Sequence, residues 1–306
     1  MLWFWLGIIA NVLWSAGNFI DKVLTERFVH GEGRALVLTL YTSLLSLALL
    51  PILYGLFPHV LSISLQNALI FIVAGGIEMV AIILYLKALI DEDASTVVPF
   101  FQVVPVFSLF LGFWFLGETL SPLQVLAGLG VVAGGAILSL EISEEKHVRF
   151  KHSLVMLMLI SAFLYALFEA LFKVGAIEVG FWAGVFWQQV GIVCVGILIA
   201  ILRPGCARAF INNIKERGKI VFGLNIFNEM LYVGGMMLFA YALLLAPIAV
   251  VSTTNAYHPV FVFILGIILS VVFPKLIKEN TSWFNLLHKT LAITIVVVSS
   301  IYLVMG

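Results

Sequence analysis

Two glutamates lie inside long apolar segments, where a carboxylate has little water to solvate it. Glu78 lies in the segment GGIEMV and Glu229 in the segment NIFNEM. Ionisable groups at such positions are costly within a bilayer and usually face a bundle interior or a wet cavity. The pair could bind a cationic group or take up protons. The alternative is that each carboxyl is hydrogen-bonded and holds helices together.

A second polar cluster precedes Pro259. Thr253, Thr254, Asn255 and His258 follow one another in an otherwise apolar run. Histidine side chains titrate near physiological pH, so His258 could carry a proton or hydrogen-bond a ligand. Polar side chains also join membrane helices without binding anything, and both interpretations stay open.

These two clusters and their neighbours define the candidate site. The candidate binding residues are Glu229, Glu78, His258, Asn255, Asn225, Asn228, Gln102 and Tyr85, and the candidate gating or helix-break positions are Pro99, Pro105 and Pro259. A further glutamate, Glu169, lies four residues before Lys173, and this spacing predicts an ion pair within one helix.

Other patterns needed for catalysis do not occur. The sequence has no HExxH zinc motif, no Gly-x-Ser-x-Gly elbow and no ATP-binding loop. Asp21, Asp91 and Asp93 lie at predicted helix ends, so no aspartyl pair is expected at the membrane centre. Two lone cysteines predict neither a disulfide framework nor a metal site. We therefore expect neither an enzyme nor a cofactor.

The elements that carry these residues must be membrane helices. The 306 residues are 63% hydrophobic and only 10% charged, with a mean hydropathy of +1.17. About a quarter of the residues of a soluble domain are charged, so lipid must cover most of this surface. Lys and Arg number 16, as do Asp and Glu, and no basic face predicts a nucleic-acid partner.

A helix needs about 20 apolar residues to cross the hydrocarbon core, and the chain has ten such runs. We expect an all-α bundle of ten transmembrane helices, near 2–22, 35–57, 67–90, 94–116, 121–141, 153–176, 181–202, 219–246, 248–273 and 284–305. The runs are too long and too uniform for a β-barrel. The basic connection 203–219 is expected to lie as a loop against the anionic inner leaflet.

The basic residues predict the orientation. Of 16 Lys and Arg residues, 15 lie at the odd-numbered connections, and only Lys173 lies at an even one. Since Lys and Arg favour the cytoplasmic side, both termini are expected outside the cytoplasm. We expect a multi-pass protein of the plasma membrane.

An internal repeat divides the chain. At an offset of 154, eight of 28 positions are identical between 85–112 and 239–266, including Pro-Val-Phe with a Gly five residues later. We therefore expect repeats at 1–141 and 153–306, joined by a cytoplasmic linker at 142–152. Five is an odd number of helices, so the second repeat must be inverted. Inverted repeats recur in secondary transporters, with the substrate site near the midplane.

At these residues the chain resembles the drug/metabolite transporter superfamily, and in particular its ten-helix EamA-type members. The resemblance rests on the segments YLKAL, PVF and LGETLS, the last beginning at Leu116. It implies alternating access, with helices one, three, four, six, eight and nine around a central cavity. Such members generally keep both termini in the cytoplasm, the reverse of what the charges here predict.

The leading hypothesis is a secondary transporter of a small polar or amphipathic metabolite, and its transport could be coupled to protons. The expected partners are that small molecule and membrane lipid. The alternatives are a lipid flippase component, which would open laterally to the bilayer, and a non-catalytic membrane scaffold.

Overall fold

The structure is a computed structural model that describes residues 1–27, 33–91, 97–139, 152–216, 218–272 and 283–305. Its helices are α1 Leu2–Arg27, α2 Arg34–Leu56, α3 Leu65–Asp91, α4 Val104–Leu116, α5 Pro122–Ser139, α6 His152–Val179, α7 Phe181–Leu202, α8 Pro204–Glu216, α9 Gly218–Leu245, α10 Ile248–Ser252, α11 His258–Val272 and α12 Trp283–Met305. Short 3-10 turns occupy Pro58–Leu61, Val98–Val103 and Thr253–Tyr257.

The chain is an integral membrane helical bundle, as its composition predicts. In the described ranges, seven helices are long and apolar enough to cross a membrane, and three shorter apolar helices accompany them. Each of the ten predicted spans overlaps one of these helices. The predicted linker 142–152 lies outside the described residues except for His152.

The fourth and ninth spans are broken in the same way. A 3-10 turn leads into α4 just before Pro105, and another leads into α11 just before Pro259. Proline lacks the N–H that would bond to the carbonyl four residues earlier. In both breaks the residue before the proline donates to that carbonyl instead. The N–H of Val104 donates to the carbonyl of Phe101, and the N–H of His258 donates to the carbonyl of Asn255. The two breaks lie 154 residues apart, which is the offset of the sequence repeat.

Three pairs of helices pack along each other. α1 packs along α9, α3 packs along α6, and α5 packs along α12. Gly134 of α5 lies against Val296 of α12, and a Cβ at Gly130 would meet Ser299. Small residues thus allow close approach of α5 and α12, as the Gly-x-x-x-Gly spacing predicts.

The connection 203–219 differs from the prediction, because most of it is helix α8 rather than a loop. Phe210 and Ile214, four residues apart, place apolar side chains on one face of α8 and pack with Tyr41 of α2. Arg208 and Lys215 are exposed. This segregation of apolar and basic faces is typical of an interfacial helix, and its contact with the inner leaflet stays a prediction.

Candidate functional site

A cavity of about 190 Å³ lies in the centre of the bundle. Its wall comes from α1, α2, α3, the 3-10 turn before α4, the first residue of α4, α6, α9, the 3-10 turn before α11, and the first residue of α11. These elements belong to spans one, three, four, six, eight and nine, which the resemblance implies, and to span two, which is α2. All eight candidate binding residues line it: Glu229, Glu78, His258, Asn255, Asn225, Asn228, Gln102 and Tyr85.

The lining residues recur at the repeat offsets. At 154 residues apart, Ile82 pairs with Met236, Tyr85 with Phe239, Phe101 with Asn255, Val104 with His258, and Glu78 with Tyr232, and all ten residues line the cavity. At 151 residues apart, the α1 residues Trp14, Gly17 and Asn18 pair with Tyr165, Phe168 and Glu169 of α6. Equivalent faces of the two halves of the chain therefore form one cavity wall.

Glu78 is 1% exposed, in the middle of α3. Gln188 Nε2 of α7 donates to its Oε2 at 2.6 Å, and the Tyr232 hydroxyl of α9 donates to its Oε1 at 3.1 Å. Glu78 and Tyr232 are 154 residues apart, so two repeat-equivalent positions contact each other directly. Both bonds come from neutral donors.

Two further carboxylates lie next to each other at one end of the cavity. Asn228 Nδ2 donates to Asp21 Oδ1 at 2.6 Å. The Thr42 hydroxyl donates to Glu229 Oε1 at 2.9 Å. Because Asn228 and Glu229 are consecutive, this part of α9 connects to both α1 and α2. Asp21 and Glu229 are partly exposed, whereas Glu78 is buried.

His258 is the first residue of α11, where the helix resumes after its break. The Asn18 amide nitrogen lies 2.6 Å from His258 Nε2. An amide nitrogen can donate to Nε2 only if that ring nitrogen carries no proton. The Ser15 hydroxyl donates to the His258 carbonyl at 3.3 Å. α1 therefore holds both the side chain and the backbone of the residue that follows the break.

Glu169 does not pair with Lys173 as its spacing predicts. Instead its Oε2 accepts from the hydroxyls of Ser108, at 2.8 Å, and Ser252, at 2.5 Å. The prediction was wrong because partners on α4 and α10 lie closer than the helix neighbour. Glu169 thus adds a buried carboxylate, 4% exposed, to the cavity wall.

Lys173 belongs to a separate cluster that closes the opposite end of the bundle. Its Nζ lies 2.6 Å from Glu118 Oε1 and donates to the Ala246 carbonyl. Glu118 Oε2 accepts from the backbone N–H of Ile248 at 2.8 Å, at the start of α10. We call Lys173, Glu118, Ala246 and Ile248 the latch, because they join the last part of α6 to the connections that follow α4 and α9.

Among the residues that the structure describes, four amide oxygens of the cavity wall have no hydrogen-bond partner in the protein. They belong to Asn11, Gln102, Asn228 and Asn255. Asn11 is fully buried, and its Nδ2 donates to the Gly7 carbonyl at 2.8 Å. That bond fixes the amide, so the unpaired group is the acceptor oxygen. The Asn228 amide is fixed in the same way, because its Nδ2 donates to Asp21 and its oxygen is the remaining acceptor.

Aromatic rings cover much of the remaining wall. Tyr85, Phe101 and Tyr165 form a continuous row, with ring centres 5.1 and 5.5 Å apart. On the other side, Trp14 lies 5.4 Å from Phe239, and its indole N–H donates to the Tyr232 carbonyl at 3.2 Å. The cavity therefore combines acidic and amide groups with flat apolar surfaces.

Several of these residues were not among the candidates. Asp21 was assigned to a helix end, but α1 continues to Arg27 and brings Asp21 onto the cavity wall. Asn11 and Asn18 of α1 also line the cavity. Their spacing was a usable signal, because Asn11, Trp14, Asn18 and Asp21 recur every three or four residues along one face of a helix.

The candidate prolines lie at the breaks. Pro105 and Pro259 are buried at the starts of α4 and α11, and Pro99 lies in the 3-10 turn before α4. Among the described residues, no group of three or more His, Cys, Asp or Glu side chains could hold a metal ion.

Comparison with known proteins finds one family model that is similar to part of the chain. Residues 1–140 match the model of the EamA-like transporter family. No curated protein matches the chain. One solved structure, described only as the crystal structure of a protein, superposes with a TM-score of 0.70 at 15% identity. The match covers 98% of this chain and 95% of that one, so the fold is shared over the whole length.

Proposed function

We propose that this membrane protein, whose residues 1–140 match the model of the EamA-like transporter family, is a secondary transporter of the drug/metabolite superfamily. It moves a small polar or amphipathic metabolite by alternating access, through a central cavity at the interface of two inverted five-helix repeats. The observation that carries this proposal is the cavity wall, which repeat-equivalent residues form from both halves of the chain.

The two ends of the cavity differ in how they are closed, as one state of an alternating-access cycle requires. At one end Leu38 and Thr42 of α2 and Asn225 and Glu229 of α9 line the cavity, and Thr42 donates to Glu229. At the other end the latch joins α6 to the connections after α4 and α9. Binding sites of inverted-repeat transporters are exposed to one side at a time because one bundle rocks against the other.

Glycine contacts support the same proposal. In the first repeat, α3 lies so close to α7 that a Cβ at Gly75 would overlap the Gln188 backbone oxygen. The position equivalent to Gly75 in α9 is Glu229, at the offset of 154. There a carboxylate replaces the glycine, and α2 meets it through the side chain of Thr42 rather than through a close backbone contact. In the opposite state, α2 would close on α9 and α7 would move away from α3.

The charge pattern supports an inward-facing state. The cavity opens where α1 and α3 end and α2 and α9 begin, which is the side of the odd-numbered, basic connections. By the positive-inside rule this side is cytoplasmic. The latch then closes the outer side.

Proton coupling is part of the proposal. Asp21, Glu78, Glu169, Glu229 and His258 are the acidic and histidine side chains among the described lining residues. Tyr85, Tyr165 and Tyr232 surround them. A proton gradient imposed across proteoliposomes would then drive uptake, and Glu78→Gln or Glu229→Gln would uncouple uptake from the gradient.

The test is uptake by proteoliposomes across a metabolite panel, together with thermal stabilisation of the purified protein. A ligand that binds only the folded state raises its apparent stability. We expect at least one compound to be taken up and to stabilise the protein, with both effects lost in Glu229→Gln. Glu178→Gln makes the same change on an exposed residue outside the cavity and should leave both effects intact.

Other results would contradict the proposal. If no solute moves but a fluorescent phospholipid crosses the bilayer, the protein is a flippase component. If neither moves and Glu229→Gln only lowers the melting temperature, the carboxylate is structural and the protein is a scaffold.

A further inference from the structure

We propose that the transported solute is an organic cation that carries a primary or secondary ammonium group on an apolar, preferably aromatic, body. This inference rests on the proposed transport function and names the class of substrate for the same cavity. Three independent features of the wall carry it: its charge, its unpaired hydrogen-bond acceptors and its aromatic rings.

The charged groups of the wall have one sign. Asp21, Glu78, Glu169 and Glu229 line the cavity, and no Lys or Arg occurs among the described lining residues. Glu78, Glu169 and Glu229 accept the hydrogen bonds described above from Gln188, Tyr232, Ser108, Ser252 and Thr42, all neutral donors. A buried charge normally has a partner of opposite charge. A solute with a positive charge supplies the counter-charge that these three carboxylates do not find among the described lining residues.

The unpaired groups of the wall are acceptors. Asn11 and Gln102 are at most 2% exposed, and their amide oxygens have no partner. Asn228 and Asn255 add two more such oxygens. A buried acceptor without a donor is costly, and a ligand that donates recovers that cost. An ammonium group has up to three N–H donors and no acceptor, so it complements this wall, whereas a quaternary ammonium has no N–H to give.

The aromatic rings fit the body of such a solute. Trp14, Tyr85, Phe101, Tyr165 and Tyr232 surround the carboxylates. Ring faces attract cations, with further gain where water is excluded, and they also pack against apolar groups. Carboxylate-bearing solutes, including zwitterions, would bring a like charge next to Glu78 or Glu229 and are disfavoured.

The experiment uses ligands that share one body and differ in charge. Binding to the purified full-length protein is measured by isothermal titration for 2-phenylethylamine, 2-phenylethanol, 3-phenylpropionate, phenylalanine and N,N,N-trimethyl-2-phenylethylammonium. Butylamine and tryptamine vary the body at constant charge. Sodium chloride alone is titrated as the inorganic cation. Because all these ligands are compared on the natural protein, the result does not depend on whether a variant folds.

We expect a primary amine to bind at least about 10-fold more tightly than its alcohol, acid and zwitterion, since a hydrogen bond to a charged group is worth about that factor or more. The trimethylated cation should bind more weakly than the primary amine. Glu229→Gln should remove most of this preference, and the matched control Glu178→Gln should not.

Two outcomes overturn the inference. If the alcohol, acid or amino acid binds as well as the best amine, or sodium binds in its place, the cavity does not select an ammonium group. If none of the three primary amines binds, the substrate class is also wrong. In both cases the proteoliposome panel decides separately whether the protein transports, so the two proposals fail independently.

Discussion

At the scale of single residues, the cavity depends on carboxylates held by neutral groups. Glu78 is the central example, with an amide on one oxygen and a tyrosine hydroxyl on the other. A carboxylate arranged in this way is satisfied by hydrogen bonds but keeps its charge or its proton available. This is what a site that binds and releases a cation needs, because a permanent Lys or Arg partner would compete with the solute.

The Tyr232 hydroxyl can be tested by Tyr232→Phe. This change removes the donor to Glu78 Oε1 and leaves a buried acceptor with one fewer hydrogen bond. We expect the free energy of unfolding to fall by about 1–3 kcal/mol, measured by chemical denaturation in detergent. Tyr302→Phe changes an exposed tyrosine and should have little effect. Equal stability of the two variants would show that the hydroxyl does not support Glu78.

The latch makes a second prediction at this scale. Lys173→Met leaves the Glu118 carboxylate without its cation, and breaking a buried pair costs on the order of 3 kcal/mol. The double variant Lys173→Met/Glu118→Met should recover part of that stability, because no unpaired charge remains. The exposed Lys215→Met is the control, with thermal unfolding as the measurement. A single variant as stable as the control would mean that the latch does not hold this end closed.

At the scale of helices, the separation of α3 and α7 is set by glycines. Gly75 lies against the backbone oxygen of Gln188, and Gly191 lies against that of Ile72. The two contacts are reciprocal, with one glycine on each helix. They bring the helices close enough for Gln188 to donate to Glu78. The polar contact at the centre of the cavity therefore depends on a close approach that only small residues allow.

Gly75→Ala and Gly76→Ala test this approach as a matched pair on one helix. The first adds a methyl group against backbone that cannot move aside, and it should destabilise the protein by about 1–3 kcal/mol. The second places its Cβ 3.7 Å from Val195 Cγ2, an ordinary contact, and should be tolerated. Thermal unfolding and ligand binding measure both. If both variants behave like the natural protein, the α3–α7 contact is looser than described.

At the scale of the whole molecule, two similar halves are in different arrangements. α7 packs closely on α3, whereas α2 and α9 both line the cavity and meet at the Thr42–Glu229 hydrogen bond. For α2 to close, Glu229 must enter a contact of the kind that Gly75 makes in the other half. Burying that carboxylate is costly unless a cation or a proton accompanies it, which would link closure to occupancy of the site.

Orientation is a further prediction at this scale. In a background without Cys194 and Cys206, His59→Cys should react with a membrane-impermeant maleimide added to intact cells, and Lys215→Cys should not. The reason is that Lys215 lies at the basic connection, which the charge pattern assigns to the cytoplasm, and His59 lies at the opposite face. Both positions are exposed. The reverse labelling pattern would mean that both termini are cytoplasmic and that the cavity faces outward.

The amino-acid sequence alone determined the membrane bundle and identified the main polar residues of the cavity lining. Lipid solvates only apolar side chains and backbone that is already hydrogen-bonded, so long apolar runs are helices, and rare polar residues within them face inward. For this reason Glu78, Glu229, His258 and their neighbours could be identified as candidates. The break before Pro259 also follows from local chemistry, because proline lacks an N–H.

The partners of those residues were decided only by the tertiary structure. Glu169 bonds to Ser108 and Ser252 rather than to Lys173, and Lys173 reaches Glu118, 55 residues away in sequence. A spacing rule describes one helix in isolation, whereas these bonds depend on which helix faces meet and how closely. Asp21 joins the cavity for the same reason. Its position along α1 follows from the sequence, but its contact with Asn228, 207 residues later, depends on the packing of α1 against α9.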